Sequence, residues 1–587
     1  MHPDGLRLMA HLQKHIHVGT APDGRDVFLP LDELKRTSTH IVGAAGYGKS
    51  YFLRNVIRHF FRFGQPFALI EPHRELFDFA LAAARRSSVA KTKITIVDPG
   101  DDDFSVAFNP LACGVDDPGE AASLVLEAVL KAWGAASFDQ TPRMEGLLRG
   151  TFRLLVDNQL TLLEGPQVLD IDNVALRRTL AERTSDPWVR EDFEAFEKWP
   201  RADKIAIVES SRNRLRRFLQ SASIRRMIGQ QQRALDLQAV MDGGGVLLAN
   251  VGNTNTPEVK RLLGALIVNA IFHAGKQRNP RRRRDFFVIV DECGQFATSD
   301  LANSLDELRK FGVHFILAHQ RLRQLEREDG DVLSSVMTNA KIKIVFGGLE
   351  RLEAERMGRE LYTGSVDGDE VKHVAFQTKF RPIDSTAEIR SESWSSSEGG
   401  SAASGESTSD SAGRSDSEAA HYRGQGITLC SPDELDAMTR TIGASSAFMR
   451  GTSFSRASSR AFGAGGSCSV VPVTLHEEFV EETGRTFYSL DEQWERRISL
   501  VHGLGKREAF IKIHNGTPLR FRTVDVPEFG DERQTHRFKT TILSRNPHVQ
   551  TTREVEREIR ERQRALDARV EAAEENGRPF KVRTFRE

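Results

Sequence analysis

The chain has 587 residues, and its 82 Lys and Arg residues balance 82 Asp and Glu residues, so its formal charge is zero. Hydrophobic residues make up 39% and charged residues 28%, a globular composition that excludes a wholly disordered or collagen-like chain. A neutral chain has no overall electrostatic attraction for nucleic acid, so any DNA contact must come from local basic surfaces.

Membrane spans and secretory signals are not recognisable in this sequence. The longest uncharged apolar stretch, residues 262–275, has 14 residues, whereas a bilayer span needs about 20. Residues 1–10 lack a basic start followed by a long apolar run. The cysteines are too widely spaced for a zinc site or a disulfide framework. We therefore expect a cytoplasmic protein, with peripheral attachment at the inner face of the membrane as an alternative.

Residues 39 to about 350 alternate short apolar runs with longer helical stretches. This alternation predicts an α/β fold with a mainly parallel central sheet, and strands that are apolar on both faces predict a sheet covered by helices. The predicted strands are His40–Val42, Phe67–Ile70, Lys93–Val97, Val246–Val251, Phe286–Val290, Val313–Ala318 and Lys341–Phe346.

Other segments have different patterns. Apolar residues at three- and four-residue spacing predict an all-helical insertion at 114–239, and 12 Ser and 4 Gly in residues 391–420 predict a flexible arm. The pattern of residues 551–575 predicts a helix. It is either a solvated single helix, or a short coiled coil or a helix that docks on a partner. The predicted regions are an N-terminal segment (1–36), the α/β domain (37–113 and 240–390) with its insertion (114–239), a Ser/Gly-rich linker (391–424), a small mixed region (425–550), and a charged C-terminal helix and tail (551–587).

The strongest motif is a phosphate-binding loop that matches G-x-x-x-x-G-K-[ST] between a predicted strand and a predicted helix. Glycines let backbone N–H groups surround phosphate oxygens, and the helix N-terminus adds partial positive charge. We predict ATP as the ligand, with Lys49 reaching the β- and γ-phosphates and Ser50 binding Mg²⁺. The predicted nucleotide-binding residues are Gly43, Ala44, Ala45, Gly46, Tyr47, Gly48, Lys49, Ser50 and Tyr51.

Two carboxylates follow the predicted strand 286–290. Asp291 is predicted to hold the magnesium, directly or through water, and Glu292 to polarise the attacking water, which indicates a hydrolase rather than a passive nucleotide binder. The neighbouring Cys293 is interpreted as a packing residue, because the sequence shows no basic partner for it.

Two further polar residues follow along the chain. Arg309 lies in a helix before the next strand, where it can reach a neighbouring subunit's nucleotide, and Gln320 ends that strand, where it can touch the γ-phosphate. The alternatives are a helix-end arginine that offsets the helix dipole and a purely structural polar residue.

Two basic clusters are candidate DNA contacts. The first includes Arg212, Arg216, Arg217, Arg225 and Arg226 within the insertion, and such a cluster can neutralise several phosphates without reading bases. The second, at 281–284, is interpreted as a surface loop. A solvated surface is the alternative for the first cluster as well.

Together, these motifs resemble the HerA/FtsK superfamily of P-loop motor ATPases, most closely the coupling proteins of type IV secretion. The resemblance covers residues 38–360 and rests on THIVGAAGYGKS, ALIEPH, VDPGDDDFSVAFNPL, VIVDECGQF, ELRKFGVHFILAHQRLRQL and TNAKIKIVFG. It implies a RecA-like motor domain that forms a homo-hexamer around DNA, with Arg309 as a trans-acting arginine finger and Gln320 as a sensor. Two features depart from the family: Glu71 replaces an Asp, and the transmembrane helices of membrane-bound members are not found.

The expected function is therefore DNA translocation driven by ATP hydrolysis, largely independent of DNA sequence. In conjugation, the partners would be a relaxase or a membrane channel component. One alternative is a HerA-like pump that works with a nuclease in DNA end processing or phage defence. Another is a nucleotide-switched scaffold without translocation.

Overall fold

The computed structural model describes residues 3–112, 117–133, 142–231, 234–252, 256–296, 305–326, 332–365, 367–397 and 463–575. The chain forms two compact units, Met1–Asp367 with Ser489–Glu587, and Gly368–Tyr488. Most of the predicted linker, residues 398–424, lies outside the described residues.

The N-terminal part of the first unit supplies six strands. The apolar runs predicted as strands are buried on both faces, as a helix-covered parallel sheet requires. The elements are α1 (Pro3–Lys14), β1 (His15–Thr20), β2 (Asp26–Pro30), α2 (Leu31–Arg36), β3 (Thr39–Val42), α3 (Lys49–Phe63), β4 (Phe67–Glu71), α4 (Glu75–Arg86), β5 (Ile94–Val97) and β6 (Phe104–Val106).

The insertion is helical throughout its described residues. Its helices bury apolar residues at three- and four-residue spacing, including Leu148, Phe152 and Leu155 of one helix. The elements are α5 (Pro118–Trp133), α6 (Pro142–Asp157), α7 (Gly165–Val168), α8 (Val174–Ala181), α9 (Pro187–Glu197), α10 (Arg201–Phe218), α11 (Ala222–Ile228) and α12 (Leu237–Asp242).

The second part of the α/β domain completes the parallel sheet. Its elements are β7 (Val246–Asn250), α13 (Pro257–Lys276), β8 (Phe286–Val290), α14 (Leu305–Lys310), β9 (Val313–His319), α15 (Val332–Asn339), β10 (Ile342–Phe346) and α16 (Arg351–Tyr362). All seven predicted strands are present, with each end within one residue of its predicted position.

Strands from both ends of the chain extend this sheet. The order is β2-β1-β14-β13-β10-β3-β9-β8-β4-β7-β5, and the strands from β10 to β5 are parallel. The remaining elements are β11 (Val371–Ser397) and β12 (Gly463–Phe487) of the second unit, then α17 (Leu490–His502), β13 (Glu508–Ile513), β14 (Leu519–Thr523), α18 (Glu532–Leu543), β15 (Val549–Thr551) and α19 (Thr552–Glu575).

Two regions differ from the sequence-based description. Residues 508–523, from the predicted small mixed region, are strands of the main sheet, because their apolar side chains are buried against β10 and β1. Residues 391–397, predicted as linker, end strand β11, which pairs with β12 in a separate two-stranded sheet. Serine-rich composition does not prevent backbone pairing, so this segment could not be recognised as a strand.

The C-terminal helix α19 packs on the insertion instead of standing free in solvent. Val555 and Leu566 are buried, and Arg562 forms an ion pair of 3.0 Å with the buried Glu164. Arg569 donates a hydrogen bond of 2.8 Å to Asn158. The helix therefore has an intramolecular partner.

Candidate active site

The phosphate-binding loop joins β3 to α3 at the carboxyl edge of the parallel sheet. Gly46 and Gly48 have positive φ angles of 79° and 116°, which favour glycine. A Cβ atom on Gly48 would also lie 2.9 Å from the Cα atom of Arg507. Gly48 is the N-cap residue of α3 and has no side chain to cover the first N–H groups of the helix. This end of the helix therefore suits a phosphate group.

Lys49 and Ser50 begin α3. The side chain of Lys49 is buried, and its Nζ atom donates a hydrogen bond of 2.6 Å to the carbonyl oxygen of Gly43. Burial lowers the pKa of Lys49, while the charges of Glu292 and Asp291 oppose that shift. Lys49 thus lies within electrostatic reach of both carboxylates, as a lysine that contacts the β- and γ-phosphates should.

Asp291 and Glu292 follow β8 at the same sheet edge, and both are buried. The pKa of Asp291 is raised to about 7, first by burial and then by the charge of Glu292, while the charge of Lys49 opposes the shift. Two buried carboxylates with one lysine leave negative charge uncompensated. The carboxylate of Asp291 and the hydroxyl of Ser50 are hard oxygen donors of the kind that Mg²⁺ prefers, so these residues fit a magnesium ion.

A third side chain, Gln324, connects Glu292 to the end of β9. Its Nε2 atom donates to Oε2 of Glu292 at 3.3 Å, and its Oε1 atom accepts from the backbone N–H of Gln320 at 3.1 Å. Glu292 itself has a left-handed backbone, with φ 51°, and such conformations cluster at functional sites. Sequence reasoning missed Gln324: it lies in a short 3-10 turn, Leu322–Gln324, within the motif that also contains Arg309 and Gln320, but the sequence alone assigned it no role.

Glu71, at the end of β4, adds another buried carboxyl group. One oxygen accepts a hydrogen bond of 2.7 Å from the backbone N–H of His73, and Oε2 has no hydrogen-bond partner among the described residues. The pKa of Glu71 is raised to about 8, mainly by burial and also by the charge of Asp291, while the hydrogen bond from His73 opposes the shift. The carboxyl group that replaces the family's Asp therefore lies near the predicted metal ligand.

His40 and His319 form a buried pair on the neighbouring strands β3 and β9. Their Nε2 atoms are 2.6 Å apart, and Nδ1 of His319 lies 2.9 Å from the carbonyl oxygen of Arg321. A carbonyl oxygen can only accept, so Nδ1 of His319 donates and its Nε2 accepts from His40. Burial lowers the pKa of both rings, that of His319 to about 4. The pair links the strand before the phosphate-binding loop to the strand before Gln320.

The C-terminal strands cover the phosphate-binding loop from outside. The backbone N–H of Arg507 donates to the carbonyl oxygen of Tyr47 at 2.8 Å. Its guanidinium lies 4.7 Å from the ring centre of Tyr51 and donates to the carbonyl oxygen of Thr523 at 2.8 Å. No sequence signal identifies Arg507, since the contact depends on β13 and β14 joining the sheet.

Gln320 and Arg309 occupy different surroundings. Gln320 is half-buried directly after β9 and is linked to Glu292 through Gln324. Arg309 is exposed on α14, and its guanidinium donates to the carbonyl oxygen of Arg36 at 2.6 Å. The structure therefore links the backbone of Gln320 to Glu292 through Gln324, while Arg309 lies at the protein surface.

The predicted DNA contacts are only partly available. Arg212 forms an ion pair with Asp170, and Arg226 forms one of 3.3 Å with Glu556. Arg225 donates to the carbonyl oxygens of Leu219 and Gln220. Arg216 and Arg217 are exposed in the last turn of α10, so these two are the most accessible members of the cluster.

Comparison with known families identifies one match. Residues 202–392 match the family model described as the type IV secretion-system coupling protein DNA-binding domain. This segment includes Asp291, Glu292, Arg309 and Gln320. The expected resemblance to conjugative coupling proteins is confirmed. No curated protein matches the chain.

Solved structures with a similar fold include two bacterial proteins. The conjugative coupling protein TrwBdeltaN70, in its unbound monoclinic form, is 12% identical over 89% of this chain and 92% of its own, with a TM-score of 0.46. A structure of TrwB with ADP and Mg²⁺ is 16% identical over 60% of this chain and 80% of its own, with a TM-score of 0.40. VirB4 of Thermoanaerobacter pseudethanolicus is 15% identical over 59% and 87%, with a TM-score of 0.41.

The fold is an α/β fold with a mainly parallel central sheet, as expected, and the phosphate-binding loop lies between β3 and α3. Among the described residues, every helix is too short or too polar to cross a bilayer.

Proposed function

We propose that the protein is an ATP-hydrolysing motor of the conjugative coupling type that moves DNA. The observation that carries this proposal is the convergence, at one sheet edge, of the phosphate-binding loop, the carboxylates after β8 and Gln320 after β9, with Gln324 joining the last two. A passive nucleotide-binding protein needs the loop but does not need a buried carboxylate linked to the neighbouring strand end.

The chain's own residues have separate roles in hydrolysis. The N–H groups at the start of α3 and the ammonium of Lys49 bind the phosphates. Glu292 orients the attacking water and draws its proton as the bond to the γ-phosphorus forms and the ADP oxygen leaves. Gln324 holds the Glu292 carboxylate. Ser50 and Asp291 would hold Mg²⁺, which when bound neutralises charge on the phosphate oxygens.

Exposure of Arg309 supports a role in trans. Its side chain lies at the surface, and an arginine that stabilises the transition state in a neighbouring subunit must be accessible. We propose a homo-hexamer, in which Arg309 reaches the nucleotide of the next copy. Gln320 would report loss of the γ-phosphate to segments that contact DNA.

The DNA would be bound without sequence preference. Arg216 and Arg217 are the proposed contacts, because they are exposed and cationic, and phosphate contacts of this kind make binding strongly salt-dependent. A relaxase or a membrane channel component is the proposed partner in conjugation. Association with a nuclease would instead support the alternative of a DNA pump in end processing or defence.

The test is ATP hydrolysis by the full chain with and without single- and double-stranded DNA. We expect DNA to stimulate turnover. Glu292→Gln should abolish turnover while nucleotide binding persists, and Arg309→Ala should lower turnover without changing nucleotide affinity in the isolated subunit. Lys310→Ala, which alters the adjacent residue, is the matched control for Arg309→Ala. Turnover that is negligible, or the same with and without DNA, would favour the nucleotide-switched scaffold.

A further inference from the structure

The hydrolysis proposed for this site does not use Glu71, whose carboxyl group is enclosed at the same sheet edge. Glu71 is the last residue of β4, and its side chain is 1% exposed. A carboxylate is costly to bury unless its oxygens are hydrogen-bonded or lie near a cation. Both oxygens of this carboxyl group therefore need partners.

One oxygen of Glu71 has a partner within the chain. Its Oε1 atom accepts a hydrogen bond of 2.7 Å from the backbone N–H of His73, in the turn between β4 and α4. Arg74, in the same turn, has a left-handed backbone with φ 72°, a conformation that persists in a non-glycine residue only where its surroundings impose it. Stabilisation of this turn accounts for Oε1.

The other oxygen of Glu71 lacks a donor. Its Oε2 atom is buried, and none of the described residues donates a hydrogen bond to it. A buried carboxylate oxygen without a donor is uncommon in folded proteins, and such atoms typically contact a water molecule, an ion or a ligand. Stabilisation of the turn does not explain this second oxygen.

Strand pairing places Glu71 beside the predicted magnesium ligand. Strands β4 and β8 are parallel neighbours with Ile70 opposite Val290, and the backbone N–H of Asp291 donates to the carbonyl oxygen of Ile70 at 3.1 Å. Glu71 and Asp291 follow these two paired residues, so they lie side by side at the sheet edge. The charge of Asp291 also raises the pKa of Glu71, as expected for neighbouring carboxyl groups.

We propose that Glu71 is a positioning residue for the magnesium ion, and that its Oε2 atom accepts a hydrogen bond from a water molecule bound to that ion. Mg²⁺ gives up its water reluctantly and usually keeps several waters beside one or two protein ligands. Such waters are hydrogen-bond donors, and a carboxylate that accepts from them orients the ligands of the metal. The inference rests on the proposed function, because it concerns the magnesium ion of the same site.

The strand order favours contact through water over direct binding to the ion. The sheet runs β3-β9-β8-β4, so Glu71 on β4 lies one strand farther from the phosphate-binding loop than Asp291, which follows β8. Neighbouring strands are about 4.8 Å apart. A separation of this size leaves room for one water molecule between the ion and the carboxyl group.

A purely structural role for Glu71 predicts a different result. If the carboxyl group served only the turn before α4, glutamine could replace it, because the amide oxygen can accept the same hydrogen bond from His73. Glu71→Gln then places an NH₂ group at the position of Oε2, and an NH₂ group cannot accept a hydrogen bond from water. This variant removes the proposed contact and preserves the turn.

The test measures the binding of ADP to the full chain while Mg²⁺ is titrated. Glu71→Gln should raise the Mg²⁺ concentration at half-maximal binding at least about tenfold, and should leave the affinity for ADP in EDTA unchanged. Glu71→Asp keeps a carboxylate and should stay within about threefold of the wild type. The control, Glu75→Gln, removes a more exposed charge near Asp291 and should also stay within about threefold.

Thermal unfolding without nucleotide verifies that each variant is folded. Glu71→Met, with an apolar side chain of similar length, replaces Glu71→Gln if the amide variant does not fold. An unchanged Mg²⁺ requirement in Glu71→Gln, an equal change in Glu75→Gln or in Glu71→Asp, or a loss of ADP affinity that persists in EDTA would each overturn the proposal. ATP turnover is recorded in parallel, so a changed Mg²⁺ requirement without turnover would refute the motor alone.

Discussion

Side chains at the carboxyl edge of the main sheet, where the phosphate-binding loop lies, are buried. Side chains in the two-stranded ribbon of β11 and β12 are exposed. At the sheet edge, strands β3, β8, β9 and β4 are buried, and charged groups such as Lys49 and Glu292 are surrounded by fixed neighbours. In the ribbon, phenylalanines are exposed and the ion pairs lie in water. Burial makes the side chains at the sheet edge sensitive to substitution, whereas substitutions of the exposed side chains in the described ribbon should be tolerated.

The largest difference in the free energy of unfolding is expected between alanine substitutions of two phenylalanines. Phe287 of β8 is fully buried and stacks on Phe60, with ring centres 4.7 Å apart. Phe287→Ala should therefore lower the free energy of unfolding by about 3–5 kcal/mol. Phe376→Ala in the ribbon, at 65% exposure, should change it by less than about 0.5 kcal/mol. Urea unfolding followed by circular dichroism compares the two, and similar losses would contradict the contrast.

Buried histidines predict a pH dependence of the free energy of unfolding, to which His319 at the sheet edge and His59 of α3, whose pKa is also lowered to about 4, both contribute. The pKa of His319 is about 4 in the folded chain, below its ordinary value of 6.5, because burial disfavours the charged ring. As the pH is lowered, the unfolded chain binds this proton before the folded chain does. The contribution of His319 to the free energy of unfolding is therefore complete above pH 6.5 and is lost as the pH drops toward 4, by up to about 3 kcal/mol.

Replacing His319 with Asn should reduce this dependence, while the contribution of His59 remains. Thermal unfolding measured between pH 4.5 and 7 gives the slope for each protein. His536→Asn, in the solvent-facing part of α18, is the control and should keep the wild-type slope. Equal slopes in the wild type and in His319→Asn would show that the pair does not control stability.

Alanine substitutions at two glycines of the phosphate-binding loop distinguish the effect of backbone strain on stability from that of steric contact. Both have positive φ angles, so alanine strains each position. An added Cβ on Gly46 meets no atom within 4 Å, whereas on Gly48 it lies 2.9 Å from the Cα atom of Arg507. Gly48→Ala should therefore destabilise the nucleotide-free protein by about 1–2 kcal/mol more than Gly46→Ala. Equal melting temperatures would mean that the backbone of Arg507 does not press against the loop.

The smallest expected effect concerns Gln324. Loss of its hydrogen bond of 3.3 Å to a buried carboxylate should lower kcat about tenfold, which corresponds to about 1.4 kcal/mol, and KM should change little. Steady-state ATP hydrolysis by Gln324→Ala measures both constants, with Arg323→Ala in the same turn as the control. A change in KM alone would place Gln324 in nucleotide binding instead of in the positioning of Glu292.

Local patterns account for what the sequence could predict. Strands buried on both faces are continuous apolar runs, so β3 to β10 of the parallel sheet were recognisable, and the phosphate-binding loop lies in eight consecutive residues. The contacts of Arg507, Gln324 and the histidine pair depend on which strands become neighbours, and Arg507 lies 456 residues after Tyr51. No local pattern carries that information. The ribbon was equally hidden, because its serine-rich end has the composition of a linker.

The position of β14 sets an order in which the chain can mature. Strand β1 reaches the main sheet only by pairing with β14, and β14 reaches it only through β13. During synthesis, β1 and β2 therefore leave the ribosome well before residues 508–523, the segment through which they join the sheet. A chain that stops before this segment would leave the side of β10 open, and contacts with helices, such as the hydrogen bond of 2.7 Å from Asn55 to the carbonyl oxygen of His17, would have to hold the hairpin of β1 and β2. The sheet is thus completed by segments that lie far apart in the sequence, as the pairing of Gly19 with Thr523 shows.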